Sequence, residues 1–160
     1  MKRYYAVIYS LLLIGLTHNA CYASQLIKPL VLNTIQGKTI HTQKKITYLK
    51  FWATWCRYCI EEMPHLQKTA NTKREQTHVV SINVGLNQSP QLVSRFLSQY
   101  NYTFPTVFDD GSLVERFKIT GTPIHIIIDK QGNIIHRSAL LTDELKAKLL
   151  DLTTQGKYHE

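Results

Sequence analysis

The sequence predicts one α/β domain: a central mixed β-sheet flanked by helices on both faces, with an N-terminal β-hairpin extension. Three observations carry this. Apolar runs of strand length alternate with helical patterns in the order strand, helix, strand, helix, then a strand hairpin and a last helix. The longest early strand, Ile46 to Trp52, arrives directly at a Cys-x-x-Cys that opens a helix. The chain has 160 residues, 44% of them hydrophobic, which suits a single core.

Each element has a local reason. Leu30 to Thr34 and Lys38 to His41 flank Gln36-Gly37 and read as a small hairpin, after an extended lead-in from Ser24 to Pro29. The helix after Ile46–Trp52 is expected from about Cys56 to Ala70. Pro64 lies inside it, so a kink is expected near Ile60 to Pro64. Asn71 to Thr77 is polar and reads as a loop; His78 to Val84 is a second buried strand. Ser89-Pro90 supplies a cap and a first-turn proline for a helix to about Tyr100, with Leu92, Val93, Phe96 and Leu97 on one face. Phe104 to Phe108 reads as extended and Ser112 to Phe117 as a short helix. Ile124 to Ile128, the turn Asp129 to Asn133 and Ile134 to Arg137 read as a hairpin. Thr142 caps a final helix, Asp143 to Leu152, whose Leu145, Leu149, Leu150 and Leu152 are expected to cover the sheet.

Residues 1–23 read as a signal peptide, with an uncleaved membrane anchor as the alternative, and residues 24–160 as the folded domain. Lys2 and Arg3 precede an apolar run, Ala6 to Leu16, and small residues at Ala20 to Ala23 offer a cleavage point. The run is short for a membrane span, which needs about 20 apolar residues. Cys21 lacks the aliphatic residue three positions earlier that a lipoprotein signal carries; His18 stands there. Net charge is +8, but the lysines and arginines are scattered, which argues against a nucleic-acid surface. Cleavage after Ala23 leaves Cys56 and Cys59 as the only cysteines. A pair three residues apart closes almost no loop, so it adds little stability. At a helix start, where free N–H groups favour a thiolate, the pair reads as a dithiol–disulfide redox centre. A zinc site would need two further ligands, and no second Cys-x-x-Cys or paired histidine motif is present.

Four features together resemble the thioredoxin fold and, within it, the TlpA/ResA-like group of exported thiol–disulfide oxidoreductases. They are Phe51-Trp52-Ala53-Thr54-Trp55-Cys56 with Cys59 and Glu62-Met63-Pro64; Phe104-Pro105 with Asp109; Gly121-Thr122-Pro123 before an apolar strand; and Ile128-Asp129 with Gly132. The resemblance spans roughly Pro29 to Leu150 and implies a periplasmic or other extracytoplasmic enzyme. Its substrates would be cysteine pairs of other proteins, and its only redox group the Cys56–Cys59 disulfide, without a further cofactor or metal. It also implies a membrane thiol-electron donor as partner and, for some relatives, service in cytochrome c maturation.

Within that resemblance Cys56 is the attacking thiol and Cys59 the resolving one. Glu62 matches an acidic residue suited to taking or returning a proton near Cys59. Pro123 matches a cis-proline, and Thr122 before it would bind an extended polypeptide, with Trp55 and Tyr58 forming part of the docking surface. Two residues depart from the family pattern. Lys50 stands where thioredoxins carry a buried aspartate, and Arg57 lies between the cysteines. Both would tune the site by favouring thiolates, which makes a disulfide more oxidising. The alternative for Lys50 is that it snorkels to solvent. His65 and His125 lie close enough in sequence or alignment to influence the thiols. The family favours a reductase and the added charge an oxidase or isomerase. A non-catalytic binding or metal-handling module is the alternative from another class, although only Met1 and Met63 are available for a Met-rich copper site.

Overall fold

The computed structural model describes residues 26–73 and 75–154. The expected leader, Cys21 and the start of the lead-in lie outside these residues. The elements are β1 (Val31–Asn33), β2 (Thr39–His41), β3 (Ile46–Trp52), α1 (Arg57–Glu61), α2 (Met63–Thr72), β4 (Thr77–Asn83), α3 (Pro90–Gln99), β5 (Thr106–Phe108), α4 (Ser112–Arg116), β6 (Ile124–Ile128), β7 (Ile134–Ser138) and α5 (Asp143–Thr154). β1 and β2 form a separate antiparallel hairpin. The main sheet has the order β5-β4-β3-β6-β7, with β3 to β5 mutually parallel and β6 and β7 antiparallel to their neighbours.

Period-two alternation along β3 divides the core. Tyr48 and Trp52 enter one apolar cluster with Met63, Leu66, Val93, Leu97, Leu145 and Leu149, contributed by α2, α3 and α5. Leu49 and Phe51 enter the other with Leu30, Leu32, Val80, Ile82, Val107 and Phe117. So α4, the lead-in and the hairpin cover the second face. β3 is buried along nearly its whole length because it is flanked by β4 and β6 and covered on both faces.

Some expectations shift. The helix after β3 is not one kinked rod from Cys56 to Ala70 but two short helices, broken at Glu62 and ending at Thr72. Pro64 falls in the first turn of α2, where its missing N–H costs nothing, so the chain ends one helix and restarts another. β4 begins and ends one residue earlier than expected. In α5, Leu145 and Leu149 are buried, whereas Leu150 is 60% exposed. One position on from Leu149, it is turned about 100° around the helix and leaves the sheet face. The caps hold: Ser89 Oγ accepts from Leu92 N–H at 3.2 Å and Thr142 Oγ1 from Leu145 N–H at 3.1 Å.

Candidate active site

β3 ends at Trp52, and Ala53 to Trp55 carry the chain to Cys56, the N-cap of α1. Cys56 and Cys59 are joined in a disulfide. The Cys56 Sγ also accepts the Cys59 N–H at 3.2 Å, the bond an N-cap side chain makes and one that would steady a thiolate there. Cys59 is fully buried. Cys56 is only 6% exposed and so largely covered in the disulfide state, although it remains the more accessible of the two.

Beneath the disulfide lies a buried polar chain. Lys50 occupies the centre of β3, between Leu49 and Phe51 on the opposite face, and is 0% exposed. It does not snorkel. Its Nζ donates to Glu62 Oε2 at 2.8 Å and to the backbone carbonyl of Cys59 at 3.1 Å. Register places His125 directly opposite Lys50 on β6, two residues after Pro123. His125 Nε2 bonds Glu62 Oε2 at 3.1 Å, and its Nδ1 bonds the Tyr48 hydroxyl at 2.8 Å. The Leu141 N–H, from the segment before α5, donates to Glu62 Oε1 at 2.8 Å.

The electrostatics follow. Burial alone would raise the Glu62 carboxyl, but the hydrogen bonds from His125 and Lys50, the charge of Lys50 and the Leu141 N–H together hold it down at about 2. Burial pulls the Lys50 amine below its ordinary range, against the opposing hydrogen bond and charge of Glu62. Burial likewise holds the His125 imidazole down, and it pushes the Tyr48 phenol up. A neutral His125 must therefore donate Nε2–H to the carboxylate and accept the Tyr48 O–H at Nδ1; the tautomer is assigned from this network.

Arg57 lies elsewhere. Its side chain is 87% exposed and pairs with Glu61 at 2.9 Å on the surface of α1. His65 on α2 contacts the Thr69 hydroxyl at 3.4 Å. Trp55 and Tyr58 are exposed on either side of Cys56, and the Trp55 indole N–H is fixed on the Leu86 carbonyl at 3.0 Å. Trp55 and Thr122 line one cavity of about 650 Å³ together with Leu86, Phe108, Val114 and Ile119. The Thr122–Pro123 bond is cis. Among the described residues no three His, Cys, Asp or Glu side chains group as a metal site, and no helix is long and apolar enough to cross a membrane. Tyr48 escaped the sequence reading. A hydroxyl-bearing ring one period-two step before a lysine in an apolar run is the signal that could have pointed to it.

The comparisons with known proteins agree with this geometry. A family model described as the AhpC/TSA family matches residues 25–137. The thioredoxin-like protein YneN of Bacillus subtilis is 31% identical over 124 residues, 74% of this chain and 73% of that protein. The thiol-disulfide oxidoreductase ResA of Halalkalibacterium halodurans is 29% identical over 128 residues, 76% of this chain and 72% of that one. Among solved structures, StoA from Bacillus subtilis aligns with a TM-score of 0.70 at 26% identity, covering 77% of this chain and 96% of its own. With a disulfide at the start of α1 and relatives that carry this chemistry in their names, the chain belongs to the AhpC/TSA family, as a thioredoxin-like thiol–disulfide oxidoreductase.

Proposed function

We propose that this enzyme is exported by its N-terminal segment and works outside the cytoplasm as a reductase of protein disulfides. Cys56 attacks the substrate disulfide and Cys59 resolves the mixed disulfide. Trp55, Tyr58, Thr122 and Pro123 receive the substrate chain, and a membrane thiol protein returns electrons to the pair. A cysteine pair awaiting haem in cytochrome c maturation is a substrate of the right chemistry.

One observation carries the direction. The two cations expected to push the site toward oxidation are both paired with carboxylates: Lys50 with Glu62 and Arg57 with Glu61. With their charges partnered by carboxylates, neither adds a free positive charge to favour a Cys56 thiolate, and the pair is expected to hold its electrons weakly enough to pass them on. The test is the reduction potential of the Cys56–Cys59 pair together with the titration of Cys56. A potential near about −270 mV and a Cys56 pKa near that of thioredoxin's attacking cysteine, about 7, are expected. A potential near about −120 mV with a strongly acidic thiol would make the enzyme an oxidase instead. Insulin reduction by wild type and its loss in Cys59→Ser, with partners accumulating as mixed disulfides on Cys56, test turnover; no turnover with either reductant or oxidant would leave a binding module.

A further inference from the structure

Opening the Cys56–Cys59 disulfide leaves a proton problem at Cys59. The residue is completely buried, so water is not at hand to supply or remove a proton. Glu62 is the obvious candidate, but its two oxygens already accept from Lys50, His125 and Leu141. A carboxyl held that low is a poor acceptor for the proton of a thiol, which ordinarily titrates far higher.

Lys50 is placed differently. Its Nζ is bonded to the Cys59 carbonyl, which brings the ammonium to the very residue that carries the resolving sulfur. Two of its three N–H donors are engaged among the described residues, so one proton remains that it can give without breaking either bond. We propose that Lys50 moves the proton of Cys59: its ammonium protonates the Cys59 sulfur when the disulfide is opened, and the amine left behind takes that proton back when Cys59 resolves a mixed disulfide. The inference rests on the thiol–disulfide reading above and assigns its proton path.

The step balances. In the opening direction an external thiolate attacks Cys56 Sγ, the Cys56–Cys59 S–S bond breaks, its electron pair goes to Cys59 Sγ, and the Lys50 ammonium gives that sulfur a proton. In the resolving direction Lys50 takes the Cys59 proton and Cys59 Sγ bonds Cys56 Sγ. The bond from Cys56 to the substrate sulfur breaks, and the substrate leaves as a thiolate; the enzyme dithiol is oxidised and the substrate disulfide reduced by two electrons. Other groups face Lys50 from the elements packed around it. Glu62, at the break between α1 and α2, is its counter-charge. His125 on β6, with Tyr48 on β3 behind it, positions that carboxylate. His65 on α2 feels the charge of Lys50, and His136 on β7 acts on His125. On β4 the residue opposite is Ser81, which does not titrate.

The test uses the reduced full-length protein and dithiobis(nitrobenzoate), which releases one coloured thiolate as Cys56 attacks and a second as Cys59 resolves. The second release, followed against pH, is the readout. In Lys50→Arg, which keeps the charge but cannot give up a proton, and in Lys50→Asn, the midpoint of the profile is expected to move up toward that of an isolated thiol. At pH 7 the second release should slow by roughly 100-fold. A Lys50→Arg protein with the wild-type profile would mean that charge alone suffices, and an unchanged Lys50→Asn that Lys50 is idle; either overturns the proposal. Should Lys50→Arg fail to fold, Lys50→Asn with added amine decides. Recovery with methylamine and not with tetramethylammonium supports proton transfer, and equal recovery with both, or with neither, overturns it. A wild-type protein without a first release would instead sink the thiol–disulfide reading itself.

Discussion

Glu62 shows how much one carboxylate can hold together. Its carboxyl is held at about 2, below the ordinary 4.5, by Lys50, His125 and Leu141 acting against burial. A carboxyl lowered on folding contributes stability above its unfolded pKa and loses it as pH falls through its folded one, here between about 4.5 and about 2. His125 is lowered by burial, so the folded protein holds it neutral, and that contribution is lost as pH falls below the ordinary imidazole value of 6.5. His65 and His78, lowered by burial too, add to this upper stage. Urea midpoints are therefore expected to drop in two stages on acidification. Glu62→Gln should shrink the lower stage, to which the lowered carboxyls of Asp110, Asp129 and Asp143 also contribute, and, by leaving the Lys50 ammonium buried without a counter-charge, cost about 3–5 kcal/mol at neutral pH. An unaltered midpoint in that variant would mean that the pair contributes nothing to stability. The pairing was only half legible in the sequence. Lys50 and His125 stand out as polar interruptions of apolar runs, and such residues need buried partners. Which partners they find depends on a register between strands 75 residues apart and on where a helix breaks, which no local pattern encodes.

At the scale of elements, local chemistry was the better guide. β3 and β6 were readable to the residue because each is an apolar run bounded by turn or loop signals, and the caps of α3 and α5 because serine and threonine stand where the first free N–H groups must be met. The break between α1 and α2 was readable as a disturbance but not as a restart, since a proline signals the same thing whether it bends a helix or begins one. The β6–β7 turn can be tested directly. Asp129 accepts the N–H groups of Gln131 and Asn133 there, and Gly132 sits at φ +96°, where side chains are rarely tolerated. A Cβ at Gly132 would also run into the Ile27 carbonyl, while the Gly132 carbonyl accepts the Ile27 N–H at 2.7 Å. Gly132→Ala should therefore cost about 1–3 kcal/mol and loosen the lead-in along with the turn. Thermal unfolding reads the first effect, and proteolysis near Ile27 the second; a variant unchanged in both would show that the turn relaxes freely.

At the scale of the molecule, the question is whether the N-terminal hairpin is an appendage or part of the core. The sequence placed it but left its role open, because three-residue strands bury little by themselves. In the fold it substitutes for a helix: among the described residues the second face of the sheet has only the short α4, and Leu30, Leu32 and Ile27 complete its cover over Leu49, Phe51, Val80 and Ile82. The attachment is also polar, since Ile35 N–H donates to the Thr106 carbonyl at 2.8 Å and the Gln36 side chain reaches both Phe104 and Thr106. Face and site are coupled through β3, which presents Phe51 to the hairpin side while its neighbours Lys50 and Trp52 serve the disulfide side. Leu32→Ala should thus behave as a core truncation, costing about 2–5 kcal/mol in urea unfolding. Val31→Ala, one residue earlier on the same strand but 61% exposed, should cost less than about 0.5 kcal/mol. Equal, small losses at both positions would mark the hairpin as dispensable. A large loss at Leu32 alone would mean that the strand carrying Lys50 toward the cysteines is held in place from the opposite face of the sheet.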